Sequence, residues 1–232
     1  MSTRRAIGAC IAVVALAGAA ATACDESSAD PAAPVTPEQI STVVRWNATD
    51  DDAQVWLTAV SPELAMATIT VQAPDGRAIF RERLDRTGGH GQERLEHRSS
   101  EHSLADLEEI YPAGRYRWTG RTADGERIRG TTEVVYELPD APTILTPADE
   151  ATEVPVDGVV VTWEPVANAR WILVEVEADG DGRELLIRIE GTATSLGLPA
   201  GYLEPGTDYE VELKAIHPNG NQAARDSVFT TA

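Results

Sequence analysis

Apolar and polar residues alternate with a period of two through most of the chain beyond residue 40, the pattern of half-buried strands rather than of helices. Ile172, Val174 and Val176 share one side of segment 171–178, and Leu185, Ile187 and Ile189 share one side of segment 183–190. Between them Asp179-Gly180-Asp181-Gly182 supplies residues that tolerate the positive φ of a hairpin turn. With 142–147, 158–163, 194–198, 207–217 and 221–231 these make seven expected strands in the C-terminal part. Their spacing, with turn signals every 8 to 12 residues, is that of an all-β sandwich. In the middle of the chain, 55–60, 66–72, 77–84, 92–98, 115–122 and 126–136 also read as strands, with hairpins at Asp75-Gly76 and Asp124-Gly125. Ile69 and Val71 alternate with Thr68, Thr70 and Gln72, while Tyr116 and Trp118 alternate with Arg115, Arg117 and Thr119. Ser103 followed by Asp106 three residues later predicts a short capped helical turn through Glu109.

The first 23 residues depart from this pattern. Arg4 and Arg5 precede an uncharged, alanine-rich run from Ala6 to Ala21, too short and too weakly apolar for a retained span and suited to a secretory leader. Ala21-Thr22-Ala23 before Cys24 resembles the lipobox of bacterial lipoproteins, which implies acylation of the Cys24 thiol; plain cleavage after Ala23 is the alternative. The paired arginines also admit the twin-arginine export route. Cleavage there removes Cys10, Arg4 and Arg5 and leaves 209 residues, one cysteine and a net charge of −21, so no intrachain disulfide can form. Residues 24–39, proline-rich and without apolar periodicity, read as a flexible, lipid-anchored tether. Two folded domains follow, at 40–138 and 139–232.

The run Leu203-Glu204-Pro205-Gly206-Thr207-Asp208-Tyr209, leading into 210–215, resembles the fibronectin type III family, as do Trp163, Pro142, Gly220-Asn221 and the terminal Phe229-Thr230-Thr231. The resemblance implies Trp163 as the core tryptophan and a Tyr209 hydroxyl bonded back to the preceding corner, with Leu203 and Pro205 shaping that corner. It also implies a fold used for spacing and recognition rather than for a reaction. The middle segment, with 111–116 and Gly120, Gly125 and Gly130, resembles the N-terminal sandwich beside such modules in exported bacterial proteins and reads as immunoglobulin-like. The expected fold is therefore all-β: two tandem β-sandwiches, immunoglobulin-like then fibronectin type III, after a signal peptide and tether.

Composition narrows the function. With 38 acidic against 19 basic side chains and a net charge of −19, the chain is a poor nucleic-acid binder and would be repelled by anionic lipid. His90, His97 and His102 lie among glutamates, but their spacing fits no zinc pattern and reads as a solvated loop. Asp179, Asp181 and Glu184 lack the remaining ligands of a calcium loop and read as a hairpin, and Asp50, Asp51 and Asp52 as an acidic loop. No nucleophile elbow or phosphate loop is present, so neither catalysis nor a cofactor is expected. Trp171 alternates with the core positions of its strand, so Trp171, Leu173 and, on the partner strand, Leu186 should share an outer apolar face. A covering loop or a strand phase shifted by one residue would remove that face. The reading is a non-enzymatic, lipid-anchored envelope protein that serves protein recognition or envelope assembly, its partner an envelope protein or a surface glycan. A carbohydrate-binding surface protein that stacks a glycan on Trp171 is the alternative, and a metal-dependent hydrolase stands behind both.

Overall fold

The computed structural model describes residues 33–83, 91–178 and 183–232. The first part of the chain forms β1 (Gln39–Asn47), β2 (Asp52–Val60), β3 (Met66–Gln72), β4 (Ala78–Arg83), β5 (Arg94–Arg98), α1 (Leu104–Ile110), β6 (Gly114–Thr122) and β7 (Arg127–Val134). The second part adds β8 (Ile144–Thr146), β9 (Ala151–Val154), β10 (Val160–Trp163), β11 (Trp171–Ala178), β12 (Glu184–Glu190), β13 (Ser195–Gly197), β14 (Asp208–Ile216) and β15 (Gln222–Thr231). Among the described residues the fold is all-β with one short helix.

Period-two alternation fixes which side of each strand is buried. Ile172, Val174 and Val176 on β11 and Val55 and Leu57 on β2 are fully buried, with polar or half-exposed residues between them. Two apolar cores result. The first holds Val44, Leu57, Ile69, Val71, Tyr116 and Trp118; the second holds Val161, Trp163, Val174, Tyr209, Leu213 and Phe229. Burying each such large side chain contributes about 1.5–3 kcal/mol. The first core lies between β1, β2 and β5 on one side and a four-stranded sheet, β4-β3-β6-β7, on the other. The second lies between β12, β11, β14 and β15 and a three-stranded sheet, β13-β10-β8.

Local signals close the turns and the helix. Gly76 and Gly125 take positive φ in the β3–β4 and β6–β7 hairpins. Ser103 caps α1, its Oγ accepting the Asp106 N–H at 3.2 Å, and the helix ends at Tyr111, before Pro112. At the second sandwich's corner the Glu204 N–H donates to the Tyr209 hydroxyl at 2.9 Å, while Leu203 is buried and Pro205 exposed.

Three features of the fold were not in the sequence reading. Strands β1 and β9 were not expected, because neither shows regular alternation; on β1 Val44 alone is fully buried. Residues 35–39, expected within a tether at 24–39, meet the fold instead, and Gln39 begins β1. The Val35 N–H donates to the Arg127 carbonyl at 2.8 Å and the Arg129 N–H to the Val35 carbonyl at 2.9 Å, which ties this segment to β7. Most consequentially, the two sandwiches share a sheet. β1 runs parallel to β15, with Arg45, Trp46 and Asn47 opposite Gln222, Ala223 and Ala224, giving the order β12-β11-β14-β15-β1-β2-β5 with β9 also on β15.

Asn221 fastens this junction. Its Oδ1 accepts the Val44 N–H at 2.9 Å, and its Nδ2 donates to the Val135 and Glu137 carbonyls at 2.8 and 2.9 Å. The Asn47 amide to Asp226 and the Asp226 N–H to the Thr49 hydroxyl, both at 2.9 Å, extend the same seam.

Candidate recognition surface

The long sheet turns one side toward the two cores and the other outward. Antiparallel pairing of β11 with β12 and β14 sets what stands on the outer side. Trp171 and Leu173 project there from β11, as the alternation predicts, and the burial of Ile172, Val174 and Val176 excludes a one-residue shift. Leu186 joins them from β12, opposite Glu175 and so diagonal to Leu173.

The three residues are not equally open. Leu186 is 52 % exposed, whereas Trp171 and Leu173 are half-buried. The guanidinium of Arg188 sits over the Trp171 ring at 5.1 Å, with that of Arg170 at 5.7 Å. A sugar stacking on this ring must displace a cation, so the face suits a partner carrying its own carboxylates or apolar side chains better than a neutral glycan.

Inward from this cluster lies Lys214 on β14, the chain's one lysine, ion-paired to Glu175 and Glu212. Burial disfavours its charge, but the two carboxylate hydrogen bonds outweigh that and hold its pKa above the ordinary lysine value. Glu212 is pushed up by burial despite the Lys214 bond, and Glu210 is pushed up by burial with Asp226 and Glu177 nearby. Asp52, at the turn from β1, is likewise raised by burial and by Glu101.

Beyond the junction the same face carries a second tryptophan that the sequence reading did not single out. Trp56 lies between the guanidiniums of Arg98 at 3.8 Å and Arg45 at 4.3 Å, and its indole N–H donates to Gln54 at 3.1 Å. Its alternation with Val55 and Leu57 was legible; that β2 lies in the same sheet as β11 was not.

The remaining expectations resolve as follows. His97 is not in a solvated loop: it lies on β5, stacked on Phe80 at 4.5 Å, because the alternation of β5 turns it toward the first core. His102 pairs through its backbone with Ala53, and His90 lies outside the described residues. Cys24, Asp179 and Asp181 also lie outside them, while Glu184 begins β12. Asp51 takes positive φ in the β1–β2 turn and accepts the Trp46 indole N–H at 3.3 Å.

Burial lowers the His97 pKa, with Glu82 opposing. Its neutral form is thus favoured by folding, so this contribution is present above the unfolded value of about 6.5 and lost as pH falls through the folded pKa. The wild type should lose melting temperature between about pH 7.5 and about pH 5.5 relative to His97→Phe, measured by calorimetry. A constant difference between the two proteins across that range would refute the linkage.

No family model and no curated protein matches the chain. Among solved structures it is similar to the first to third fibronectin type III domains of chicken CNTN1, at 14 % identity and a TM-score of 0.36, covering 85 % of this chain and 65 % of that one. A two-domain fibronectin type III segment of chicken tenascin follows at 12 % identity, TM-score 0.33, covering 84 % and 99 %. Fibronectin(III)-like modules of Clostridium thermocellum CbhA give 10 % identity, TM-score 0.34, covering 83 % and 93 %.

Proposed function

We propose that this chain is an exported, non-enzymatic envelope lipoprotein, anchored through Cys24, whose immunoglobulin-like and fibronectin type III sandwiches at 40–138 and 139–232 serve to recognise another envelope protein. The observation that carries the reading is the outer face of the shared sheet, where exposed Leu186 stands diagonal to Leu173, with Trp171 two residues before Leu173 on the same face, within a frame of charged side chains. An apolar centre with a charged rim is the composition of a protein contact. Among the described residues no helix is long and apolar enough to cross a membrane, so attachment in this reading falls to the acylated thiol.

In-cell crosslinking of wild type against Leu186→Glu tests the recognition claim. Leu186 is exposed on the sheet's end strand, so the substitution should leave the melting temperature within about 2 °C, in line with the effect of surface changes. A defined crosslinked species formed by wild type and lost in the variant supports the reading; the same species from both removes this face from it. Intact mass of the protein extracted from cells checks Cys24 separately.

A further inference from the structure

The chain is acidic overall, yet the outer face of β4-β3-β6-β7 is built of arginine and threonine. The register places Arg81, Thr70, Thr119 and Arg129 on one rung and Arg83, Thr68, Arg121 and Arg127 on the next. Arg117 and Arg115 continue the array along β6, where Glu133 opposite Arg115 is the acidic member. Seven of the chain's nineteen basic residues thus stand on one sheet face, about 15 Å across at the usual strand spacing. Residues 138–232, by contrast, hold 17 acidic and 5 basic side chains.

We infer that this arginine face is a docking surface for an anionic phospholipid bilayer. Guanidinium groups pair bidentately with phosphate, and the threonines add hydroxyl donors between them. Arg81, Arg115, Arg117 and Arg129 form no ion pair among the described residues, so their charge is not spent internally. Chain geometry selects a membrane over a soluble polyanion. Val35 is bonded to β7 beside Arg127 and Arg129, and Thr36, Pro37 and Glu38 line a groove of about 790 Å³ with Arg115, Arg117 and Arg129. The described chain therefore begins, at Ala33, two residues before a contact with the edge strand of this face. Eight residues lie between Cys24 and Ala33, a contour of at most about 30 Å over nine Cα–Cα steps. The inference rests on the lipid-anchor reading and deepens it: the anchor sets the distance, and the arginine face sets the orientation, with the acidic second sandwich turned away from the bilayer. Net charge alone gives the opposite expectation of repulsion, because it averages over two faces of opposite sign.

Full-length Cys24→Ser protein, which lacks the thiol of the anchor position, is sedimented with vesicles of phosphatidylcholine alone or with about 30 % phosphatidylglycerol. The neutral vesicles account for apolar insertion of residues 1–23, and Arg4 and Arg5 are common to wild type and variants. Binding should be at least about tenfold tighter to the anionic vesicles and fall with salt; Arg117→Gln and Arg129→Gln should each weaken it about fivefold, and the triple variant with Arg81→Gln should remove most of the difference. Equal binding to both vesicle types, or anionic binding untouched by the substitutions, overturns the proposal. So does arginine-dependent binding of a DNA oligonucleotide without vesicle binding, or arginine-dependent self-association through the acidic half of a second copy. The anchor is judged separately by the mass of the wild type from cells: loss of acyl mass removes that reading while leaving the vesicle result intact.

Discussion

Lys214→Met should destabilise the protein by about 3–5 kcal/mol, the cost of removing one member of a buried charge cluster. The lysine side chain is 11 % exposed and its partners Glu175 and Glu212 are 21 % exposed, so surface screening reduces the effect little. Without the ammonium, two carboxylates face each other across β11 and β14. Repulsion then adds to burial, which already raises Glu212. A raised folded pKa means that the native state binds protons more tightly than the unfolded chain, so the variant should gain stability as pH falls toward the carboxylate range and lose it as pH rises. Adding Glu175→Gln and Glu212→Gln to Lys214→Met should recover most of the loss. Urea unfolding followed by tryptophan fluorescence at two pH values checks both statements. A loss under about 1 kcal/mol, with no pH dependence, would mean that the cluster behaves as a solvated surface pair.

Asn221→Ala should cost about 3 kcal/mol and, more diagnostically, separate one unfolding transition into two. The side chain is 2 % exposed and spans both sandwiches, satisfying Val44 from one and the chain at Val135 and Glu137 that leads into the other. Truncation leaves a buried N–H and two carbonyls without this partner, each at about 1–3 kcal/mol when no water replaces it. Asn221→Asp should be no milder, since it keeps the acceptor for Val44 but turns an oxygen toward two carbonyls. Hydrogen exchange at the Val44 amide should accelerate in Asn221→Ala more than at Val174, which lies in the second core away from the seam. Equal acceleration at both amides would mean that Asn221 supports global stability without coupling the halves.

How far the fold was readable in the chain differs from element to element. The strands at Met66–Gln72 and Trp171–Ala178 match their expected ends, because strict alternation and flanking turn residues are local properties. The helix at Leu104–Ile110 was legible for the same reason, in its Ser103 cap. β1 was not, since QISTVVRWN shows no clean period: it is held by pairing with β2 on one side and β15 on the other. The placement of Trp171, Leu173 and Leu186 on one outer face followed from phase alone, while the arginines over Trp171 and the seam beside Lys214 depended on register.

Backbone pleat therefore dictated, from local order, the all-β class, the two apolar cores and the side of each strand that faces water, because neighbouring side chains in a strand must point oppositely. Which edges meet is a non-local choice, settled by the parallel pairing of Arg45–Asn47 with Gln222–Ala224 and by Asn221. That choice joined the sandwiches and put Trp56 and Trp171 on one sheet, while the antiparallel registers of β3, β4, β6 and β7 gathered arginines distant in sequence onto one face. A net charge of −19 carries no trace of that segregation, because a sum over residues discards the positions from which a surface potential is built.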